Sequence, residues 1–520
     1  MKTNNKSMNE KIDYKKFISE TGADIMIDDL LQYLIKQNNG SMPVWSDLIK
    51  EENGKEYQYV NYVQEGGGVL GVGLIGYTYV LEKIGVRFLK LAGTSAGAIN
   101  TMLLASVDKE NYKNTGHAFD YKSEIILQEM LDFSLWKMVD GSKFGKRLIR
   151  LFVNSKAGLK ALISTLLFAF LVPILFSILS VFGRVIFGVR PSGSIMHLYD
   201  VFVIVAFIAL IILLIAVVLI IYYLYRFRKA SFGINPGDAF HEWIIDILKR
   251  NNIHTAAGLE TKMQNEISLV ELRPERKIQN LPGDSDIIQP PYMTLVTSDI
   301  TNEVKVEFPA MAADYWEEPD QVNPADFVRA SMSIPIFFEP FRVNVSAEVK
   351  RRSAFQQKHE TIRRMHKETY PASFVDGGIL SNFPFNVFHN PKIKIARMPT
   401  FGVRLEDEDH IIGNAAPGNG KRKLIPFLGR IFNTVRFNYD RDFLKKNSVY
   451  ETCIAHVDVA GFNWLNFGID YETQKKLFIK GVEAAITFFK GGNVWIDGKE
   501  TEFAPYDWKT FKEERAKIVS

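Results

Sequence analysis

The stretch Gly93-Thr94-Ser95-Ala96-Gly97 falls where a strand, Arg87 to Ala92, should give way to a helix, Ala96 to Ser106. A small residue on each side of the serine permits a turn sharp enough to push its hydroxyl out of the fold as a nucleophile. Five residues with two glycines also describe an ordinary glycine-rich turn, so the rest of the chain decides the reading.

Upstream, Tyr57 to Gln64 reads as a strand. It is followed by Glu65-Gly66-Gly67-Gly68-Val69-Leu70-Gly71-Val72-Gly73 and an apolar helical stretch to about Lys83. A glycine run between strand and helix exposes backbone N–H groups with no Cβ in the way, at the positive end of a helix dipole. Such a loop suits an oxyanion or a phosphate. Gly66, Gly68 and Gly71 also fit a dinucleotide G-x-G-x-x-G. The acidic ribose ligand expected about 20 residues on is missing, because Val86 to Lys90 contains no carboxylate. The oxyanion reading is therefore preferred.

A third segment, Phe374 to Pro384, is an apolar strand ending in Asp376 and two glycines. An aspartate on a tight turn at a strand end can accept a serine proton without a histidine, although an Asx turn capping a strand has the same look. Taken in order, the Glu-Gly-Gly-Gly loop, Gly-Thr-Ser-Ala-Gly and Asp376-Gly377-Gly378 with Asn382 and Pro384 resemble the patatin-like phospholipases. Arg329 to Pro340 and a helical tail from Phe467 to Lys490 add to the likeness, which covers roughly Tyr57 to Lys490. The resemblance implies an α/β fold with a mostly parallel sheet sandwiched by helices. It also implies Ser95 as nucleophile, Asp376 as its base, Gly66, Gly67 and Gly68 as oxyanion donors, and Gly93 and Gly97 shaping the elbow. The family often has Arg or Lys where this chain has Leu70, which puts headgroup selectivity in doubt. A Ser-Asp-His order remains a mechanistic alternative, since His389, His410 and His456 all follow Asp376.

Two long runs lack ionisable groups other than tyrosine, Ala161 to Gly183 and Val201 to Tyr225. Each is long enough to cross about 30 Å of hydrocarbon, and the second is apolar on every face, unlike a soluble helix. The pair is expected to form a transmembrane hairpin. Pro173 is tolerated in such a span, and Tyr222, Tyr223 and Tyr225 suit an interface. Lys143, Lys146, Arg147, Arg150, Lys156 and Lys160 precede the hairpin and Arg226, Arg228 and Lys229 follow it, against only Arg184 and Arg190 in the connection. That excess places the catalytic domain on the cytoplasmic side.

The single cysteine, Cys453, excludes an intramolecular disulfide framework, and no signal peptide is expected at the N-terminus. A net charge of +4, with cations clustered near the spans, favours anionic lipid over nucleic acid as partner. No cofactor is implied, nor a metal, since no His, Cys and carboxylate cluster has ligand spacing. A homo-oligomer is left open.

The expected organisation is an N-terminal tail and small helical region over 1–56, with Met1 to Asn9 disordered and helical spacing from Asp24 to Lys36. Catalytic segments follow at 57–156 and 230–490 around a hairpin region at 157–229, and 491–520 forms a C-terminal extension. Arg342 to Lys367 is strongly basic and reads either as a flap touching phosphate headgroups or as a solvated insertion. Gly413 to Lys423 reads as a mobile loop able to act as a lid. The expected activity is hydrolysis of acyl esters in membrane phospholipids or other glycerolipids. The alternative from another class is a membrane scaffold that keeps this shell without turnover.

Overall fold

The computed structural model describes residues 13–143, 194–274, 287–365, 371–393, 395–406, 424–496 and 499–519, with isolated positions between them. Outside these lie Met1 to Asn9, most of Ala161 to Gly183, His410 and the Gly413 to Lys423 loop. The chain forms two compact units: Met1–Val139, Gly237–Pro335 and Pro340–Ser520 make one, and Asp140–Pro236 with Ile336–Glu339 the other.

The larger unit is built on one mixed sheet. Its strands are β1 (Leu48–Glu52), β2 (Lys55–Gln64), β3 (Val86–Thr94), β4 (Glu271–Leu272), β5 (Met293–Asp299), β6 (Val304–Phe308), β7 (Phe341–Val343), β8 (Ala372–Asp376), β9 (Thr400–Glu406) and β10 (Ile454–Asp458). The order is β10-β9-β2-β3-β5-β8-β7, and the run from β10 to β5 is parallel throughout. β6, β7 and β8 join antiparallel, so the sheet is mostly parallel at its centre and antiparallel on one flank. Central strands such as β5 are buried along their whole length, as parallel strands covered on both faces require.

Helices Gly71–Lys83 and Tyr471–Lys490 pack closely enough that a Cβ on Gly481 would sit 1.8 Å from the Gly73 carbonyl oxygen. The C-terminal helix, expected from Phe467, starts later. It begins at Tyr471, because Asp470 caps it by accepting the Thr473 N–H at 2.8 Å.

The N-terminal region expected to be helical over 1–56 ends in a strand. Helix Ala23–Gln37 matches the apolar spacing, but β1 then pairs antiparallel with β2 through the two-residue turn Asn53-Gly54. Both turn residues have positive φ, 53° and 72°, the conformation a tight hairpin demands and Asn-Gly supplies. The N- and C-terminal segments are integral to this unit: Asp47, before β1, accepts from Trp508 Nε1 at 2.9 Å and Lys512 Nζ at 3.1 Å.

The basic stretch from Arg342 onward forms helices Ala347–Arg352 and Ala354–Met365. Arg352 is already committed, donating to the carbonyls of Trp316 at 2.6 Å and Glu317 at 2.9 Å.

The smaller unit contains the helix Ser194–Lys229. Its Leu210–Lys229 portion has a mean hydropathy of 2.6, with none of it buried, and is the one helix among the described residues long and apolar enough to cross a membrane. Of the first apolar run only Ser164, Phe168 and Leu175 are described, each helical and exposed. The ends of the insertion meet at Asn235, whose Oδ1 accepts the Gly141 N–H at 2.9 Å while its Nδ2 donates to the Phe337 carbonyl at 2.8 Å.

Candidate active site

Sheet register brings the motifs together. Gln64 pairs with Gly93 across β2 and β3, Thr94 with Val296 across β3 and β5, and Thr297 with Asp376 across β5 and β8. The glycine loop after β2, Ser95 after β3 and Asp376 at the end of β8 therefore emerge at one edge of the sheet. That edge is the carboxyl end of the parallel strands, where open α/β sheets place their ligand crevice.

Ser95 has φ 53° and ψ −118°, a sparsely populated conformation for a residue with a side chain. Such strain costs roughly 1–3 kcal/mol and persists only where the surroundings enforce it. Here they do. A Cβ on Gly93 would come 2.4 Å from the Gly97 carbonyl carbon, and one on Gly97 would come 2.3 Å from the Gln64 carbonyl oxygen. Only glycine on both sides of the elbow allows the helix Ala96–Ser106 to start this close to the strands. The Ser95 N–H donates to Ser331 Oγ at 3.1 Å, and that hydroxyl donates to the Val296 carbonyl at 2.6 Å.

Asp376 is buried, and burial pushes its carboxyl above the ordinary aspartate range. Opposing this, the Ser95 hydroxyl lies close enough to favour the ionised form, the Gly378 N–H donates to Oδ1 at 2.8 Å, and the Arg436 guanidinium adds positive charge. Oδ2 has no aligned hydrogen-bond partner among the described residues, which leaves it open to receive a proton.

The glycine loop abuts this pair. A Cβ on Gly66 would sit 3.0 Å from the Ser95 Cβ and 2.6 Å from Asn382 Oδ1. The three glycines are not equivalent, and the assignment of Gly66 as an oxyanion donor is corrected: its N–H is already donated to the Asn382 carbonyl at 3.0 Å. Among the described residues the N–H groups of Gly67 and Gly68 are not so engaged. The Ala96 N–H, at the first position of its helix, is a further orphan donor of the kind every helix start provides.

Sequence reasoning passed over three supports. Asn382 Nδ2 donates to Glu65 Oε1 at 3.1 Å and to the Gly66 carbonyl at 3.0 Å. Glu65, raised by burial, also accepts the Leu405 N–H at 2.7 Å. Ser331 is the third. Glu65 and Asn382 stood inside the quoted motifs, but nothing in the sequence said that they meet.

Beside the elbow lies an apolar cavity whose wall includes Gly68 and Ala96 together with Leu103, Ile126, Met130 and Trp243. The two candidate histidines among the described residues are bonded elsewhere. His389 Nδ1 pairs with the Tyr450 hydroxyl at 2.8 Å, His456 Nδ1 with Glu406 at 2.7 Å, and His410 is outside the described residues. No group of three or more His, Cys, Asp or Glu among the described residues is arranged to hold a metal ion.

The family model for patatin-like phospholipase matches residues 63–192 and 214–389, most of the chain. A protein of Bacillus subtilis (strain 168), YqhO, itself described as uncharacterized, is 23% identical over 432 residues, spanning 83% of this chain and 98% of its own length. Among solved structures, VipD from Legionella pneumophila aligns with 86% of this chain and 70% of that chain, at 13% identity and a TM-score of 0.34.

Proposed function

The chain belongs to the patatin-like phospholipase family and is by that membership a lipid acyl hydrolase; from this premise we propose that it cleaves membrane glycerolipids through a Ser95–Asp376 dyad while anchored in the bilayer. The observation that carries the reading is the strained Ser95 beside a buried Asp376 whose Oδ2 has no hydrogen-bond partner among the described residues, while His389 and His456 are bonded elsewhere.

Asp376 takes the proton from the Ser95 hydroxyl as Oγ attacks the ester carbonyl. Negative charge then grows on the carbonyl oxygen, where Gly67, Gly68 and Ala96 offer N–H groups. Collapse expels the lysolipid alcohol, which takes up the proton held by Asp376, and leaves an acyl-Ser95 ester. Water, deprotonated by the same carboxylate, attacks that ester; Ser95 Oγ leaves and takes back the proton from Asp376, and the fatty acid is released. The apolar cavity beside Ala96 suits the acyl chain.

Anchoring rests on the exposed apolar helix, whose last turn carries Arg226, Arg228 and Lys229. With the companion run Ala161 to Gly183 it would form a hairpin whose flanking cations keep the catalytic unit on the cytoplasmic side.

The test is to purify the full chain in detergent, treat it with a fluorophosphonate probe, and measure fatty acid release from phospholipid vesicles. Labelling at Ser95 and release that both vanish in Ser95→Ala support the reading. Release that persists in Ser95→Ala overturns it.

A further inference from the structure

The helix Leu424–Lys446 lies outside every motif quoted above, yet two of its residues one turn apart reach the loop that follows Asp376. Spacing of four puts Arg436 and Asp440 on one face. Asp440 is buried, with Oδ1 accepting the Ser381 hydroxyl at 2.6 Å and Oδ2 the Phe383 N–H at 2.9 Å. Between those two residues stands Asn382, whose Oδ1 accepts from Arg436 Nη2 at 3.1 Å.

Among the described residues the arginine has no ion pair within salt-bridge distance. Its Nε is buried without a partner among the described residues, and its other neighbour is the Phe437 ring at 5.0 Å. A Cβ on Gly378 would lie 3.3 Å from Arg436 Nη2 and 2.9 Å from Asp376 Oδ1, so guanidinium and carboxylate flank the same glycine.

We propose that Arg436 and Asp440 are positioning residues for hydrolysis. They clamp Ser381, Asn382 and Phe383 so that the loop of the base and the glycine loop stay in register, and Arg436 supplies a positive charge beside Asp376. The clamp reaches the nucleophile side because Asn382 also holds Glu65 and Gly66. Among the described charged groups, Arg436 is the one that pulls the Asp376 carboxyl toward ionisation. Arg404 is turned to Glu65, 3.9 Å away, and Asp440 is itself pushed up to about 6 by burial. Without the guanidinium, Asp376 would hold its proton to higher pH, and a protonated carboxyl cannot accept one from Ser95.

The inference rests on the Ser95–Asp376 reading, and one experiment separates the two. Turnover of a short water-soluble ester by the full chain in detergent is followed as a function of pH across the acidic limb that a carboxylate base produces. Arg436→Gln keeps a donor for Asn382 but removes the charge. Its acidic limb of kcat should move up by about one unit with KM within roughly twofold of wild type. Arg436→Lys keeps the charge and should leave the limb in place, with a lower kcat because the planar fork is lost. If Arg436→Gln does not fold, Arg436→Met, which retains the packed stem, replaces it with the same expected limb. An unmoved limb in the neutral variant, or a rise in KM with kcat intact, overturns the proposal while the dyad stands. Equal turnover by wild type and Ser95→Ala overturns the dyad and this inference with it.

Discussion

Gly66 donates its N–H to the carbonyl of Asn382 at 3.0 Å, and Asn382 Nδ2 donates back to the Gly66 carbonyl at the same distance. This reciprocal pair ties the glycine loop after β2 to the loop that begins at Asp376, although more than 300 residues separate them. The loop proposed to hold the oxyanion and the loop of the proposed base are thus tied together, with Ser95 close to Gly66.

If Ser95 and Asp376 act as a unit, Ser95→Ala and Asp376→Asn should each lower kcat by roughly 10³-fold or more, and the double variant should be little worse than either. His389→Ala and His456→Ala should keep most activity, because each ring is bonded to Tyr450 or Glu406 rather than to the dyad. Loss of turnover in one folded histidine variant would favour a triad.

Asp376 also carries a stability cost. Its folded-state pKa is raised by burial, so the folded chain binds this proton more tightly than the unfolded chain, and stability falls as pH rises through that pKa. Well below the ordinary aspartate range both states are protonated and the effect vanishes. Asp376→Asn should therefore melt a few degrees above wild type at neutral pH, with the gap closing in acid. Thermal melts of both proteins across that range decide it, and an unchanged gap would mean burial does not strain this carboxylate.

What the sequence disclosed follows from how local each feature is. The elbow, the helix Ala96–Ser106 and the Asp376 turn are set by residues adjacent in the chain, so they were legible. The antiparallel flank and the engaged Gly66 N–H depend on partners far away, whereas the Asn53-Gly54 hairpin is local and its Asn-Gly pair is a short-range signal. Arg436 stands in no motif: one of three arginines on the helix Leu424–Lys446, it becomes informative only when Asn382 is seen beside it.

The glycine loop can be tested through what each missing Cβ would meet. At Gly67 it would strike the tip of Leu405, with Cδ1 at 2.3 Å, whereas at Gly68 it would strike the Trp464 carbonyl oxygen at 2.3 Å and force a side chain onto φ 56°. Gly68→Ala should cost about 1 kcal/mol of backbone strain and roughly 10²-fold in kcat through a displaced N–H. Gly67→Ala should be milder and should be rescued by Leu405→Val, which removes the obstructing atom. Ester turnover of the single and double variants checks this, and rescue of Gly68→Ala by Leu405→Val would show that the loop is displaced in some other way.

The last prediction concerns the exposed helix. Leu210–Lys229 is apolar around its circumference up to its basic last turn and no part of it is buried in the protein, so in water it would expose more contiguous hydrocarbon than a soluble monomer tolerates. Twenty residues at a rise of about 1.5 Å span about 30 Å, the thickness of the hydrocarbon core. If it crosses the bilayer with Ala161 to Gly183, the protein should stay with membranes through high salt and alkaline carbonate, because burial of apolar surface is insensitive to ionic screening. A cysteine placed at Ser192, after Cys453→Ala, should react with an impermeant reagent only from the non-cytoplasmic side. Release by salt alone would show that basic residues hold the protein to the surface, and labelling of Ser192 from the cytoplasmic side would remove the hairpin even if the protein remained membrane-bound.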